Sequence, residues 1–494
     1  MNFINQGIPF PVFSREQVRN LETLAIQEHD IKSYDLMQQA GKAALKLIQS
    51  HYPNAKNVLI IAGGGNNAGD GYVLARLLKN SDIHCVVMPV VPLTKLRGDA
   101  MRAQNEFAIH DGLDTELSTH LPACDLIIDA IFGIGLTRPI EGQFAEIVEA
   151  INRTPAPVLS LDIPSGLNAD TGNSNGPTVY ANTTLSFVGV KSGLLTGEAR
   201  NFTGDVAVDT LGIPDTLIDS ADKLGFTLPN PTPNQLLAPR KESSYKNNHG
   251  HVLIVGGNIG YPNAARLAGE AAARTGAGLV SIATHPESVA PIAAGCASLM
   301  VKGIQDPKEL NSLLSKADAV VIGPGLGQDK WAQKIFASVI ETQLPIVVDA
   351  DALHLLSKNP SKGDHWVLTP HPGEAAQLLS CNKEEIQLHR LTSVLAIQEQ
   401  YGGMTILKGS GSLTCFDQKI GFCTSGNASL ATGGTGDVLA GIIAGLLAQG
   451  ASLEDATHCG IMLHGRAAEM VSTKGSRGIL AQDLFPALYQ LVNT

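Results

Sequence analysis

Gly63-Gly-Gly-Asn-Asn-Ala-Gly-Asp-Gly71 sets flexible backbone beside two amides and a carboxyl. Gly63-x-Gly65-x-x-Ala68 matches a dinucleotide-binding fingerprint, in which glycines let backbone N–H groups approach a phosphate at a helix N-terminus. The acidic residue such a site uses after its second strand is missing, because Ile83–Val91 runs into Pro92-Leu-Thr-Lys95. An ordinary nicotinamide dehydrogenase therefore fits poorly. A tight strand-to-helix turn accounts for the glycines but not for Asn66, Asn67 and Asp70. Two further apolar runs end in similar chemistry. Asp129-Ala-Ile-Phe-Gly-Ile-Gly135 leads into Leu136-Thr-Arg-Pro139, and Asp162-Ile-Pro-Ser-Gly166 follows Val158-Leu-Ser-Leu161. Each aspartate can act as a general base, help hold a hard cation, or only cap its turn.

The second half carries a different signature. Asn427-Ala-Ser-Leu-Ala-Thr-Gly-Gly-Thr-Gly-Asp437 precedes Val438, Leu439, Ile442, Ile443, Leu446 and Leu447, which keep helical period. Thr432–Gly436 therefore sits at a helix N-terminus, where spare N–H groups and the positive dipole end make an anion hole. Asp437 at its rim can accept a hydroxyl proton as a phosphoryl group arrives, or simply interact with the dipole. Weaker signals are Gly323-Pro-Gly-Leu-Gly327, His371 between prolines in Thr369-Pro-His-Pro-Gly-Glu374, and Lys408-Gly-Ser-Gly-Ser412 after Thr405-Ile-Leu407. No G-x-x-x-x-G-K-[ST] loop exists, so nucleotide chemistry here belongs to another class.

The elements that must position these groups alternate strand and helix twice. Asn57–Ala62, Ile83–Val91, Asp125–Asp129 and Pro157–Asp162 read as buried strands, with a helix from about Asp70 to Leu78. Ser14-Arg-Glu-Gln17 fits a capping box that opens a helix. His251–Val255, Ala319–Ile322 and Ile346–Val348 begin a second series. Continuous apolar strands alternating with helices imply parallel sheets covered on both faces, whose ligands bind outside the carboxyl ends of the strands. The proline-rich stretch from Ile213 to Gly250 breaks the pattern and puts a domain boundary near residue 225. Of 494 residues, 35 are Lys or Arg and 46 Asp or Glu, a net charge of −11 that argues against nucleic-acid or anionic-membrane binding. The seven cysteines form no C-x-x-C pair and read as reduced thiols of a cytoplasmic protein. No secretory signal is visible, and the longest apolar stretch, Val438–Ala448, is about half of the ~20 residues a membrane span needs.

Eight segments, in order along nearly the whole chain, resemble the bifunctional NAD(P)H-hydrate repair enzymes. In the first half these are Leu36-Met-Gln-Gln-Ala-Gly41, Asn66–Gly71, Asp129-x-x-x-Gly133-x-Gly135 and Asp162–Gly166. In the second they are Gly250-His-Val-Leu-Ile-Val-Gly-Gly257, Gly323–Gly327, Thr369–Glu374 and Asn427–Asp437. The resemblance implies an α/β protein of two domains. Residues 1–225 would form a Rossmann-like, doubly wound parallel sheet that interconverts the R and S forms of NADHX and NADPHX, the C6-hydrated cofactors. Residues 226–494 would form a ribokinase-like α/β domain that dehydrates the S form at the expense of ADP.

Residue by residue, Asn66, Asn67, Ala68, Gly69, Asp70 and Gly71 would cradle the hydrate. Gly133, Ile134, Gly135, Leu136, Thr137, Arg138 and Pro139 would close over it. Asp162 would touch the hydrated ring as acid or base, and Asn67, Asp129 and Ser165 would hold K+. In the second domain Ala264, Gly325, Gly327, His371 and Asp437 would line the hydrate site, with Asp437 catalytic. Lys408, Gly409, Ser410, Gly411, Ser412 and Gly436 would hold the nucleotide, with Mg2+. The implied partners are small molecules (NADHX, NADPHX and ADP), not nucleic acid or membrane, in a cytoplasmic homo-oligomer. The chain departs from the family pattern at Glu22, where Asp is expected, and at Tyr261-Pro-Asn263, which replaces a smaller turn. Two other readings compete. One is an ATP-dependent kinase of a small hydroxylated metabolite with a fused regulatory domain. The other is a binding module, which the presence of Asn67, Asp70, Asp129 and Asp162 speaks against.

Overall fold

The computed structural model of the protein describes residues 2–4, 7–108, 121–174 and 176–494. The chain falls into two compact units, Met1–Thr227 and Leu228–Thr494.

Ten strands lie in the first unit: β1 (Asn2–Phe3), β2 (Pro11–Phe13), β3 (Asn57–Ala62), β4 (His84–Pro89), β5 (Leu126–Ala130), β6 (Val158–Leu161), β7 (Thr183–Phe187), β8 (Val190–Lys191), β9 (Asp205–Asp209) and β10 (Gly225–Thr227). Seven form one sheet in the order β1-β9-β7-β6-β5-β3-β4. Its pairs are parallel from β9 to β4, and only β1 runs antiparallel, against β9. Every residue of β5, β6 and β7 is buried, so the apolar runs read as doubly covered parallel strands hold. The chain steps from β3 outward to β4, then back across to β5. The reversal leaves a crevice at the carboxyl ends of β3 and β5, where Gly63 and Ile131 begin their loops.

The second unit contributes β11 (His251–Val255), β12 (Leu279–Thr284), β13 (Met300–Gly303), β14 (Ala319–Ile322), β15 (Ile346–Val348), β16 (Trp366–Leu368), β17 (Met404–Leu407), β18 (Leu413–Phe416) and β19 (Lys419–Phe422). They lie in the order β13-β12-β11-β14-β15-β16-β17-β18-β19. All pairs from β13 to β17 are parallel, and β18 and β19 close the series antiparallel. A second reversal lies between β11 and β14. Parallel register places Gly256, Gly323, Asp349, Thr369 and Lys408, the residues that follow five neighbouring strands, along one edge. The helix Thr435–Ala448, apolar from Val438 onward, packs across the sheet and against the helix Pro262–Thr275. Its sides are buried from Val438 to Ala448, which explains an apolar run too short for a membrane. Among the described residues no helix is long and apolar enough to cross one.

The capping box at Ser14 forms as expected, with Gln17 N–H donating to Ser14 Oγ at 3.1 Å and Ser14 N–H donating to Gln17 Oε1 at 2.9 Å. One boundary differs. The helix expected from Asp70 begins at Asn66, so Asn66–Gly71 is helix and not loop. Asn and Gly are poor helix formers, but packing overrides propensity here. A methyl group on Gly71 would lie 2.9 Å from Ala130 Cβ, and one on Gly69 would lie 3.0 Å from Ala100 Cα. These glycines let the helix lie close on the sheet and on its neighbouring helix. In a free helix Gly71→Ala would stabilise by about 1 kcal/mol. Here it should destabilise the first unit by about 1–3 kcal/mol, because the added methyl overpacks the helix on β5. Urea unfolding followed by circular dichroism checks the sign.

Candidate active sites

The first unit holds a cavity of about 580 Å³ at the reversal between β3 and β5. Of the expected residues, Asn66, Asn67, Asp70, Gly133, Ile134, Gly135, Leu136, Thr137, Arg138 and Asp162 line it. Ala68, Gly69 and Gly71 instead point into packing and are buried; Pro139 lies outside the lining. Arg19, Glu22, Met37 and Phe187 are among the other residues of the wall.

Asp162 sits just past β6 in a strained backbone conformation. Its φ is +67°, and Ile163 N–H reaches over it to Leu161 O at 2.8 Å, a γ-turn that L-residues rarely adopt. Val188, past β7, repeats the device: φ is +68°, with Gly189 N–H donating to Phe187 O at 2.7 Å. The two turns bring Asp162 together with Lys191. The Lys191 ammonium is fully buried, and its three donors are all used, on Asp162 Oδ1, on Ser186 Oγ at 3.2 Å and on Phe187 O at 2.7 Å. The other Asp162 oxygen accepts the Ile134 N–H at 3.0 Å, tying the Gly133–Pro139 loop to the carboxylate. Lys191 escaped the sequence reading. Its signal was a lone lysine in the apolar run Phe187-Val-Gly-Val-Lys191.

Asp129 is fully buried and accepts four hydrogen bonds, from Ser160 Oγ (2.8 Å), Ser165 N (2.9 Å), Ser165 Oγ (2.6 Å) and Ile131 N (3.3 Å). Burial raises its carboxyl, while these bonds work downward. Ser165 Oγ in turn accepts the Phe132 N–H at 2.9 Å. Asn67 is buried beside Gly133, and neither its Oδ1 nor its Nδ2 has a hydrogen-bond partner among the described residues. A buried amide oxygen left without a partner is the kind of oxygen donor a hard cation takes.

In the second unit the expected residues fall into two groups. Ala264 and Gly325 pack together, since a methyl on Gly325 would lie 3.2 Å from Ala264 Cβ. Gly327 donates its N–H to Asp351 Oδ2 at 2.8 Å. Around Lys408 lies the second group. Its ammonium donates to Asp349 Oδ1 at 2.9 Å and stands 3.8 Å from Glu374 Oε2. A methyl on Gly436 would lie 3.3 Å from Lys408 Nζ, so the cation sits against the start of the helix Thr435–Ala448. Gly434 caps that helix with φ +90°, and Asp437 lies in its first turn. Burial above all, then Asp349, pushes the Asp437 carboxyl up to about 8, while Lys408 pulls it down. Burial also raises Glu374 against the pull of Lys408. Burial alone would lower Lys408, but Asp349, Glu374 and Asp437 outweigh it and the net shift is upward.

His371 caps the helix Pro372–Leu378. Its Nδ1 accepts from Gly373 N (2.9 Å) and Glu374 N (3.2 Å), and burial, then Lys408, lowers its pKa, favouring the neutral ring with its proton on Nε2. Gly409–Ser412 is shaped from behind by the buried Arg390, which donates to Leu407 O and Gly411 O at 3.3 Å. The sequence reading missed Asp349, Asp351 and Arg390, and left Glu374 without a role. Asp349 follows a buried strand as Asp162 does, and the same signal would have found it.

Removing one partner of a buried ion pair strands the other charge. Lys191→Met should therefore destabilise the first unit by about 3–5 kcal/mol, and Lys191→Met with Asp162→Leu should recover much of that loss. Chemical denaturation of both variants measures the difference.

Residues 252–490 match the family described as NAD(P)H-hydrate dehydratase, and residues 33–193 match the YjeF-related protein N-terminus family. The bifunctional NAD(P)H-hydrate repair enzyme Nnr of Coxiella burnetii is 39% identical over 494 residues, covering 98% of this chain and 99% of its own. The Escherichia coli enzyme of the same name is 39% identical over 491 residues, covering 99% and 95%. The ADP/ATP-dependent NAD(P)H-hydrate dehydratase of Bacillus subtilis, co-crystallised with ATP and Mg2+, is 28% identical over 54% of this chain and 98% of its own, with a TM-score of 0.48. With nearly the whole chain aligned at such identity, and two family matches in succession, the protein belongs to the bifunctional NAD(P)H-hydrate repair enzymes.

Proposed function

We propose that this chain repairs hydrated nicotinamide cofactors in two steps. Residues 1–225 interconvert R- and S-NAD(P)HX, and residues 226–494 convert S-NAD(P)HX to NAD(P)H at the expense of ADP, giving AMP and phosphate. The observation that carries this reading is Asp437, a half-buried carboxyl in the first turn of a helix, within reach of the Lys408 charge.

The chemistry follows from the substrate. C6 of the hydrate bears a hydroxyl next to a ring nitrogen, and hydroxide leaves poorly. Asp437 takes the hydroxyl proton while the oxygen accepts the terminal phosphoryl group of ADP. The N–H end of the helix and Lys408 neutralise the charge that gathers on that group. Phosphate then departs with the C–O electron pair, the nitrogen lone pair assists, and loss of a ring proton restores the double bond. Ala264, Gly325, Gly327 and His371 bind the hydrate, and Lys408, Gly409, Ser410, Gly411, Ser412 and Gly436 hold the nucleotide. Among the described residues no three His, Cys, Asp or Glu side chains group to hold a metal unaided. Mg2+ therefore comes with the nucleotide phosphates, its usual anchor.

In the first domain Asn66–Gly71 and Gly133–Pro139 enclose the ring, and Asp162 exchanges a proton with the oxygen that leaves or joins C6. Asn67, Asp129 and Ser165 hold K+, which supplies a fixed positive charge near the bound hydrate. The net charge of −11 and the unpaired cysteines suit a cytoplasmic enzyme of small molecules, and the low charge content of 16% suits self-association.

Asp162→Asn should cut R-to-S exchange by about a hundredfold or more and leave S-form dehydration intact; Asp437→Asn should do the reverse. Chromatography of the two epimers and recovery of reduced-cofactor absorbance separate the activities. Below pH 8 Asp437 is mostly protonated and is a base only in its minor form. The kcat/KM for dehydration should therefore climb with pH and level off above about 8. A flat profile from pH 6 to 9 would contradict the assignment.

A further inference from the structure

Asp70 has a place in the cradle above but no chemical step. It lines the cavity of the first unit from the helix Asn66–Lys79, whereas Asp162 enters from the end of β6. The two carboxyls thus enter one cavity from different elements, near enough that the Asp162 charge acts on Asp70. Asp162 has both oxygens engaged, by Lys191 and by the Ile134 N–H. Asp70 has no hydrogen-bond partner among the described residues. Inversion at C6 poses a problem that one carboxyl does not solve. The hydroxyl must gain a proton to leave from one face of the ring, and a water must lose a proton to arrive on the other. Sugar hydrolases that invert an anomeric carbon meet the same need with two carboxyls, one protonated and one ionised.

Resting on the epimerase reading above, we propose that Asp70 is the second catalytic carboxyl, the acid that works opposite the Lys191-paired Asp162. Asp70 gives its proton to the C6 hydroxyl. The C6–O bond breaks, water leaves with the electron pair, and the N1 lone pair forms an N1=C6 iminium. A second water adds to C6 from the other face, its oxygen supplying the new bond, and its proton goes to Asp162. The hydrate is inverted with no oxidation. The enzyme is left with Asp70 ionised and Asp162 protonated, ready for the reverse direction or for reset through solvent. The groups acting on Asp70 agree. Burial first, then Asp162 and then Glu22 raise its carboxyl well above the usual range, and Lys191 only partly offsets them. Arg19 and Arg138 also line the cavity. Glu22, raised by burial and by Asp162, is the rival acid.

The test uses the full chain, purified R-NADPHX and no nucleotide, and follows the epimers by chromatography above the uncatalysed rate. Wild type, Asp70→Asn, Asp70→Glu and Glu22→Gln are compared across pH 5.5–9.5. The proposal expects Asp70→Asn to lose about a hundredfold or more in kcat with KM within a few-fold. It also expects Asp70→Glu to recover part of the rate. Wild type should lose activity at high pH as its acid gives up the proton, and the residual Asp70→Asn rate should lack that fall. An Asp70→Asn enzyme within threefold of wild type, or one keeping the alkaline fall while Glu22→Gln loses it, overturns the proposal. A wild type that does not exchange the epimers at all would instead remove the epimerase reading itself.

Discussion

A lysine ammonium paired to an aspartate at the carboxyl end of a parallel sheet, with further acids close by, is the constraint on which each unit depends. In the first unit Lys191 pairs with Asp162 while Asp70 and Glu22 stand in the same cavity. In the second Lys408 pairs with Asp349 while Glu374 and Asp437 stand nearby. The lysine's charge is taken up first by its paired aspartate, and the remaining acids sit where burial has removed much of the water. The surplus acids rise in pKa, and a carboxyl that holds its proton near neutrality can both give and take one. In the chemistry proposed above, exchange of epimers and removal of water both break the bond between C6 and its oxygen, and both need a carboxyl that moves a proton on or off that oxygen.

The folds exist to hold those charges at fixed separations. Parallel strands deliver their final residues to one edge, and a reversal of strand order opens room there. Rigid β-sheet then forces two γ-turns at Asp162 and Val188, whose strain is retained because the Lys191 ion pair and the sheet on either side over-determine it. In the second unit the apolar helix Thr435–Ala448 does the positioning. Its buried sides fix its axis, so its first turn, at Gly436, meets Lys408 in one geometry.

Much of this was legible in the chain because the governing patterns are local. Asn57–Ala62 and Ile346–Val348 announce doubly covered strands, and the parallel α/β sheets of both units follow from them. The helix at Thr435 was legible because period and glycines coincide. The start of the helix at Asn66 was not, because Gly69 and Gly71 look like loop residues until the sheet and the neighbouring helix they lie against are known. Nor were the lysine partnerships. Lys191 and Asp162 are 29 residues apart, and Lys408 and Asp349 are 59 apart, and nothing local encodes which strands become neighbours. Arg390, which braces the Gly409–Ser412 loop from beneath, reads in sequence as an ordinary helix-start cation.

The central claim is that the C6 oxygen leaves as part of a phosphate after Asp437 has released it from its proton. Tracing that oxygen tests it most directly. S-NADPHX carrying 18O at C6 is turned over with unlabelled ADP, and the released phosphate is read by the isotope shift of its 31P resonance. The account predicts one 18O atom in each phosphate formed. Label appearing in water, with unlabelled phosphate, would contradict it.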